Sequence, residues 1–325
     1  MGIKNLNKIV RNYCKNSTKI INLSDLSGKK IVIDISIYLY RFEKDNTLIE
    51  NIFLMISIFH FYNITPIFVF DGKPPIEKRD LLIQRIKDKK AAEKEHIFLK
   101  EKLNIVNDLQ EKKEIGKQLE ILKKQFVSIS KDQINKVKNL IISYGCSYLE
   151  ATGEADELCA MLVLKNKVWA CLSEDTDMFV YGCPRVLRYF SLLNHTCVFY
   201  DMEKILLELG LNQNQFRQLC ILSGTDYNSS LKVDIEKLLI SFKKNLHSDT
   251  NFCFENWSST ILSNTTLSRI STIFDLTNKS IDDMIKTDNI DIDINFKKNY
   301  EKSNDKLREI LKEDGFLFIS SILVK

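Results

Sequence analysis

Carboxylates in this chain collect where apolar runs stop. Asp34 lies in "IVIDIS", Asp71 closes "PIFVFD", and Glu154, Asp156 and Glu157 sit in "TGEADEL". Asp175 and Asp177 follow "ACLS", and Asp226 sits in "LSGTDY". Taken singly, each has an ordinary explanation. Asp71 before Gly72 is good turn chemistry, and an acid at a helix start complements the helix dipole. All of them converging on one place is harder to explain that way, because packed carboxylates repel one another unless cations neutralise them. Oxygen ligands without His or Cys select Mg2+ or Mn2+. A site of this kind commonly holds two ions that clamp a phosphodiester and supply a hydroxide.

The surrounding pattern says what positions these acids. "KIVIDI" (30–35), "TPIFVFDGKPP", "KVWACLSED" and "CPRVLRYF" read as four strands, the second closed by Asp71-Gly72 and stopped by Pro74-Pro75. Helices are expected at about 48–62, 132–143, 154–166, 201–209 and 212–223. Strands alternating with helices imply an α/β fold with a central, mostly parallel sheet flanked by helices on both faces. Ligands of such sheets bind at the carboxyl ends of the strands, where the acids fall. Residues i and i+2 of a strand share a face, so Asp175 and Asp177 are expected to point together.

Residues 77–138 differ from the rest. They hold 17 Lys or Arg against 11 Asp or Glu, with no Pro, and Ile115, Leu119, Leu122 and Phe126 recur at helical spacing. This reads as a charged helical insertion projecting from the sheet, its excess of cations leaving room for a phosphate-facing surface. Beyond residue 230 the chain is rich in Asn, Ser and Asp, with short apolar helices and no clear linker.

At 325 residues and 44% hydrophobic content the chain can bury a sizeable core, which excludes disordered and fibrous classes. A net charge of +4 permits nucleic acid as a partner without requiring it. The eight cysteines show no C-x-x-C pair and sit mostly in apolar runs, as reduced thiols of a cytosolic or nuclear protein would. Leu6 disfavours myristoylation of the Met-Gly start, and no signal peptide is visible. The apolar run 52–70 contains His60, Asn63, Thr65 and Pro66, so a buried helix and strand are expected there and no membrane association.

The motifs "MGIKNLNKIV", "IVIDISIYLYRF", "PIFVFDGKPP", "EATGEADELCAMLV", "LSEDTDMFVYG", "LLELGLNQNQFRQLCILSGTDY" and "ENW" run in order through residues 1–257. In these the chain resembles the flap endonuclease/XPG superfamily of structure-specific 5′ nucleases. The resemblance implies a PIN-like 5′ nuclease core over 1–240, a helical arch insertion at about 77–138 and a helical extension over 241–325. It implies two Mg2+ ions, replaceable by Mn2+, with Asp34, Asp71, Glu154 and Asp156 on the first and Asp175, Asp177 and Asp226 on the second. Helical geometry alone puts Glu157, not Asp156, on the face of Glu154, and the choice of Asp156 follows the motif.

The same resemblance makes Lys78 and Arg85 the cations that meet the scissile phosphate, the first neutralising developing charge and the second holding phosphate oxygens. Tyr40 matches a tyrosine that stacks on the base beside the cut, and Gly2 a glycine whose backbone approaches the substrate closely. Glu154, Gly224 and Asp226 join them on the DNA-facing side. The implied activity is cleavage of 5′ flaps near single-strand/double-strand DNA junctions, with 5′-to-3′ exonuclease activity, in replication, repair or recombination. Alternatives are a 5′-to-3′ exonuclease or bubble-cutting repair nuclease on the same scaffold, or a non-catalytic DNA-binding homologue.

Two departures qualify the resemblance. The family follows "GTDY" with a glycine-containing helix–two-turn–helix that grips duplex phosphates through backbone amides, often with potassium. Here "NSSLKVDIEKLLISF" follows, and no glycine occurs between Gly224 and Gly315, so a different turn is expected, with Ser229, Ser230 and Lys232 as a weaker substitute. "FLFISSILVK" lacks the terminal sliding-clamp-binding pattern, so clamp recruitment is not expected. The expected state is a monomer in the nucleus or cytoplasm. The Lys-, Ile- and Asn-rich composition fits an AT-rich genome, and a virus-borne chain would act in the viral replication compartment.

Overall fold

The computed structural model describes residues 2–248, 252–286 and 302–316. Seven strands form one mixed sheet: β1 (Thr18–Asn22), β2 (Lys30–Asp34), β3 (Thr65–Phe70), β4 (Ser147–Glu150), β5 (Ala170–Leu172), β6 (Arg185–Ser191) and β7 (Thr196–Asp201). Their order is β1-β7-β6-β5-β2-β3-β4. The five strands from β6 to β4 run parallel, and β7 and β1 add two antiparallel strands at one edge. The four strands read from sequence are present. β1, β4 and β7 are additional: β1 and β4 form the two edges of the sheet, β7 lies beside β1, and each buries only one or two residues.

The chain leaves β2 toward β3 and β4 on one side, then crosses back to β5 and β6 on the other. The strand order therefore reverses between β2 and β5, which opens a crevice at their carboxyl ends. Asp34 ends β2, paired with Val69, and Leu172 ends β5, paired with Ile33.

Alternate side chains of the parallel strands enter two cores. Val32, Ile67, Val69, Leu149, Cys171 and Val186 face one, and Ile31, Ile33, Phe68, Phe70, Leu172 and Leu187 face the other. Burial on both faces explains why these strands read as unbroken apolar runs. On the second face pack α2 (Ser36–Glu43) and α3 (Leu48–Phe61), which carries the 52–61 part of the long apolar run. No helix among the described residues is long and apolar enough to cross a membrane.

Two helices, α4 (Arg79–Ile105) and α5 (Leu109–Lys123), make up the insertion. Only Ala92 of α4 is buried, and α4 packs against α5, where Ile115 and Leu122 are buried. The pair thus stands off the body as a helical hairpin, with Lys102 bridging to Glu111 at 2.8 Å near its tip. The chain re-enters the body at α6 (Lys131–Ser143), whose start is fixed by a Ser130/Gln133 capping box.

The first face is covered by α1 (Leu6–Tyr13), α7 (Ala155–Leu164), α8 (Asp177–Tyr181), α9 (Met202–Leu209) and α10 (Gln213–Ser223). The chain continues through α11 (Ile235–Ser248), α12 (Phe254–Ser259), α13 (Asn264–Ile273) and α14 (Ile281–Met284). Leu238, Phe242, Ile270 and Phe274 of these helices enter the same core as α7 and α10. The expected boundary at residue 240 therefore falls inside α11. From α14 the chain straps the β4 edge, Ile285 bridging to Ala151 and the Lys286 amide donating to the Glu150 carbonyl. The last described helix, α15 (Asn304–Glu313), packs against α6 on the second face. Residues 317–325, most of the stretch on which the clamp-binding expectation was placed, lie outside the described residues.

Candidate metal centre and nucleic-acid interface

The acids read from the sequence meet at the crevice. A cleft of about 1730 Å³ opens at the strand ends between the hairpin and the sheet, and Asp34, Asp71, Glu154, Asp156, Asp175 and Asp226 line it. Asp177 lies just beneath, 1% exposed. Carboxylate oxygens of Asp156, Asp175 and Asp177 all lie within 4.8 Å of one another. Asp156, grouped by the resemblance with the first ion, is thus seated against Asp175 and Asp177 of the second set. Glu157 points elsewhere, paired with Lys279 just before α14.

Local structure aims each acid. Asp34 accepts hydrogen bonds from Ser173 Oγ at 3.0 Å and the Ser36 amide at 3.3 Å. Asp71 accepts from the Ala155 amide at 2.8 Å in the first turn of α7, and Ser36 Oγ donates to its other oxygen. Glu154 is the residue before α7 and Asp156 lies in that helix's first turn. Asp175 and Asp177 do not converge by strand alternation, as the i, i+2 reading expected. β5 ends at Leu172 and Asp177 opens α8. A tight turn joins them, in which the Asp175 amide donates to Ser173 Oγ at 3.1 Å and the Asp177 amide to Asp175 Oδ1 at 3.0 Å.

Gly2 backs onto this turn. Its φ is +77°, and a Cβ there would run into Thr176 Oγ1 and Asp175 Oδ1 and come within 2.9 Å of Asp177 Oδ1. The neighbouring Ile3 amide donates to Thr176 Oγ1 at 2.6 Å. The chain start therefore packs against the acids, where a side chain has no room.

Electrostatics follow from burial and crowding. Burial, and then the neighbouring Asp71, push the Asp34 carboxyl up to about 8. Burial raises Asp156 well above the carboxylate range, with Glu154 adding to it, and burial followed by Asp175 does the same for Asp177. Asp177 Oδ1 is buried and has no hydrogen-bond partner. An unpartnered buried carboxylate oxygen among close acids, with no His or Cys in the set, suits a hard divalent cation.

Lys78, in the 3-10 turn before α4, is 5% exposed. Its Nζ lies 2.8 Å from Glu154 Oε2 and 3.9 Å from Asp226 Oδ2, and Arg85 Nη2 lies 3.0 Å from the same Asp226 oxygen. Burial alone would lower the Lys78 ammonium, but Asp156 and Glu154 overrule it and hold its pKa above the usual value. Tyr227 completes the group: its ring lies 4.8 Å from Lys78 Nζ and its hydroxyl donates to Glu154 Oε2 at 3.1 Å. Sequence reasoning passed over this residue, although it directly follows Asp226. Tyr40 is 42% exposed at the cleft, with Lys89 Nζ 5.0 Å from its ring centre.

Gly224 lies outside the cleft lining. Its φ is +106° and a Cβ would strike the Leu231 carbonyl, so it serves the turn into α11. That turn is knotted by Asn228, whose Oδ1 accepts from the Thr225 amide at 2.7 Å and whose Nδ2 donates to the Ile221 carbonyl at 2.8 Å. At the start of α11, Asp234 Oδ1 accepts from the Glu236 amide at 2.9 Å and the Lys237 amide at 3.2 Å. Two amides at the helix start are therefore occupied by the chain's own carboxylate.

Residues 1–92 match the family model for the XPG N-terminal domain, and residues 145–226 that for the XPG I-region. The chain belongs to the flap endonuclease/XPG superfamily. Between the two matched stretches lies most of the α4–α5 hairpin. Among similar proteins of this superfamily is flap endonuclease 1 of Candida tropicalis, 31% identical over 251 residues, covering 71% of this chain and 64% of that protein. Human flap endonuclease 1 is 30% identical over 253 residues, covering 71% of this chain and 63% of that one. The aligned part of the chain thus spans somewhat under two thirds of these relatives. The fold is shared with the catalytic core of Rad2 in complex with DNA substrate, with a TM-score of 0.61 at 24% identity over 96% of this chain and 94% of that one. It is also shared with flap endonuclease-1 from Methanococcus jannaschii, with a TM-score of 0.56 at 22% identity over 91% and 94%.

Proposed function

We propose that this superfamily member is a divalent-metal-dependent, structure-specific 5′ nuclease that cuts DNA flaps near single-strand/double-strand junctions, with 5′-to-3′ exonuclease activity. One observation carries the reading: the carboxylates of Asp156, Asp175 and Asp177 cluster at a cleft that Lys78 and Arg85 also line. Asp34, Asp71, Glu154, Asp156, Asp175, Asp177 and Asp226 would hold two Mg2+ ions, with Mn2+ as a substitute. When bound, the ions supply the positive charge that makes water nucleophilic at neutral pH and offsets charge on the phosphodiester.

The chain's own side chains do the remaining work. Lys78, buried and held charged by its acidic neighbours, presents an ammonium to charge developing on the phosphate. Arg85, more exposed and one arm on Asp226, offers a planar fork to phosphate oxygens. Tyr40 offers an exposed ring to the base beside the cut. The products are a 5′-phosphate and a 3′-hydroxyl, and no covalent enzyme intermediate is invoked. The α4–α5 hairpin, carrying the excess of cations, receives the single-stranded 5′ end. All seven carboxylates and both cations are present, which counts against a non-catalytic homologue. We place the protein, as a monomer, in the nucleus or cytoplasm.

Incubating a fluorescent 5′-flap DNA with the protein and Mg2+ tests this reading, with gapped, bubble and RNA substrates in parallel. Flap cleavage near the junction, abolished by EDTA, is expected. Intact flap at high protein concentration, or cutting indifferent to EDTA, contradicts it, and faster cutting of bubbles or RNA favours the sister activities.

A further inference from the structure

Strand β6 breaks its ladder beside the metal centre. Its pairing with β7 shifts register between Arg188 and Ser191, and Tyr189 inside the shift has φ +55°. A bulky residue in the left-handed region is uncommon and strained, and a bulge beside a site re-aims a side chain. Here the re-aimed ring is 48% exposed and lines the same cleft as Asp175 and Tyr40. It belongs to neither hydrophobic core.

The surroundings hold this strained placement in position. The Tyr189 amide donates to Glu174 Oε1 at 2.7 Å, and Glu174 immediately precedes Asp175. The buried Arg188 donates through Nη2 to the Glu174 carbonyl at 2.7 Å, and its guanidinium lies 5.1 Å from the Tyr189 ring centre. Asn7 Nδ2 donates to the Tyr189 hydroxyl at 3.2 Å. The polar tip of the ring is tethered while much of its surface faces solvent. A tyrosine kept for packing would bury its ring. A strained backbone maintained by several partners so that an aromatic surface stays in a cleft is the arrangement of a binding platform.

We propose that Tyr189 is a nucleic-acid-binding residue, on whose exposed ring a base of the bound DNA strand stacks, in the cleft that Tyr40 also lines. Stacking needs only a base's π-face, so the contact tolerates any sequence. This inference rests on the nuclease reading, since it takes DNA as the ligand.

Backbone strain supplies a clean test. Glycine accepts φ +55° without penalty, so Tyr189→Gly removes the ring while relieving the backbone. Anisotropy of a labelled 5′-flap DNA with Ca2+ in place of Mg2+ reads binding, thermal melting reads the fold, and steady-state cleavage with Mg2+ reads KM and kcat. Tyr189→Gly is expected to melt at or above the wild-type temperature, to bind about tenfold more weakly, and to raise KM more than it lowers kcat. Tyr189→Phe, which keeps the ring, should recover most of the lost binding. Wild-type affinity and KM in Tyr189→Gly overturn the proposal, as does a fall in its melting temperature that matches its loss of binding. If the wild-type protein itself neither binds nor cuts the flap, the nuclease reading falls and this inference with it.

Discussion

Lys78 Nζ lies within 2.9 Å of both Glu154 carboxylate oxygens and beneath the ring of Tyr227. A buried ammonium in that setting stays charged and cannot wander, so it acts as fixed positive charge at the cleft floor. Replacing Lys78 by Ala should slow single-turnover flap cleavage by about 10²–10³-fold, as removal of a preorganised charge donor does elsewhere. Flap binding measured in Ca2+ should change much less. A rate within a few-fold of wild type would show that Lys78 serves the fold only.

Gly2 offers a second lever on the same centre. An added methyl must displace Thr176 or Asp175, because both side-chain oxygens already occupy its place. Gly2→Ala should weaken Mn2+ uptake and cutting about tenfold or more, because small displacements of site groups are costly. Normal Mn2+ uptake in this variant would mean that the 173–177 turn yields freely.

Asp156 and Glu157 are neighbours with opposite fates, one facing Asp175 and Asp177 and the other paired with Lys279. Asp156→Asn should therefore abolish detectable cutting, whereas Glu157→Gln should keep it within about fivefold, the surface ion pair it breaks being weak. Parallel cleavage assays on the two purified variants check this, and equal losses would refute the division.

The raised carboxyls make stability depend on pH in a definite direction. Without bound cations, folded Asp34 holds its proton up to about 8, and Asp156 and Asp177 are raised as well. Unfolded, such groups lose their protons near pH 4. Between these limits the folded state carries more protons, so stability falls as pH rises. In EDTA the melting temperature should drop from about pH 5 to about pH 8. Mg2+ or Mn2+ should restore most of the loss at the upper end and little at the lower, since metal binding requires deprotonated ligands. A melting temperature that climbs across this window in EDTA would contradict the assignment.

Much of this was legible before any coordinates, for physical reasons. Strands buried on both faces, such as β2 and β3, must be continuous apolar runs, and a helix pair standing in solvent must be charged and free of proline. β1, β4 and β7 escaped because they lie at or next to the sheet edges and bury only one or two residues each, so they present no continuous buried apolar run. Asp175 and Asp177 were paired correctly for a reason the structure replaces: a turn between β5 and α8 brings them together. Helical geometry alone favoured Glu157 over Asp156, and the structure turns Glu157 away to Lys279, more than a hundred residues along the chain. The roles of Tyr227 and of the Tyr189 bulge were hidden for the same reason, since each depends on partners from distant segments.

Mn2+ uptake, followed by electron paramagnetic resonance, tests most directly whether these acids form a working metal centre. The wild-type protein should take up about two ions per chain. Asp175→Ala/Asp177→Ala should lose at least one of them, and with it all flap cleavage, while keeping its circular dichroism spectrum and most of its DNA affinity. A double variant that takes up as much Mn2+ and cuts as fast as the wild type would contradict the site proposed here.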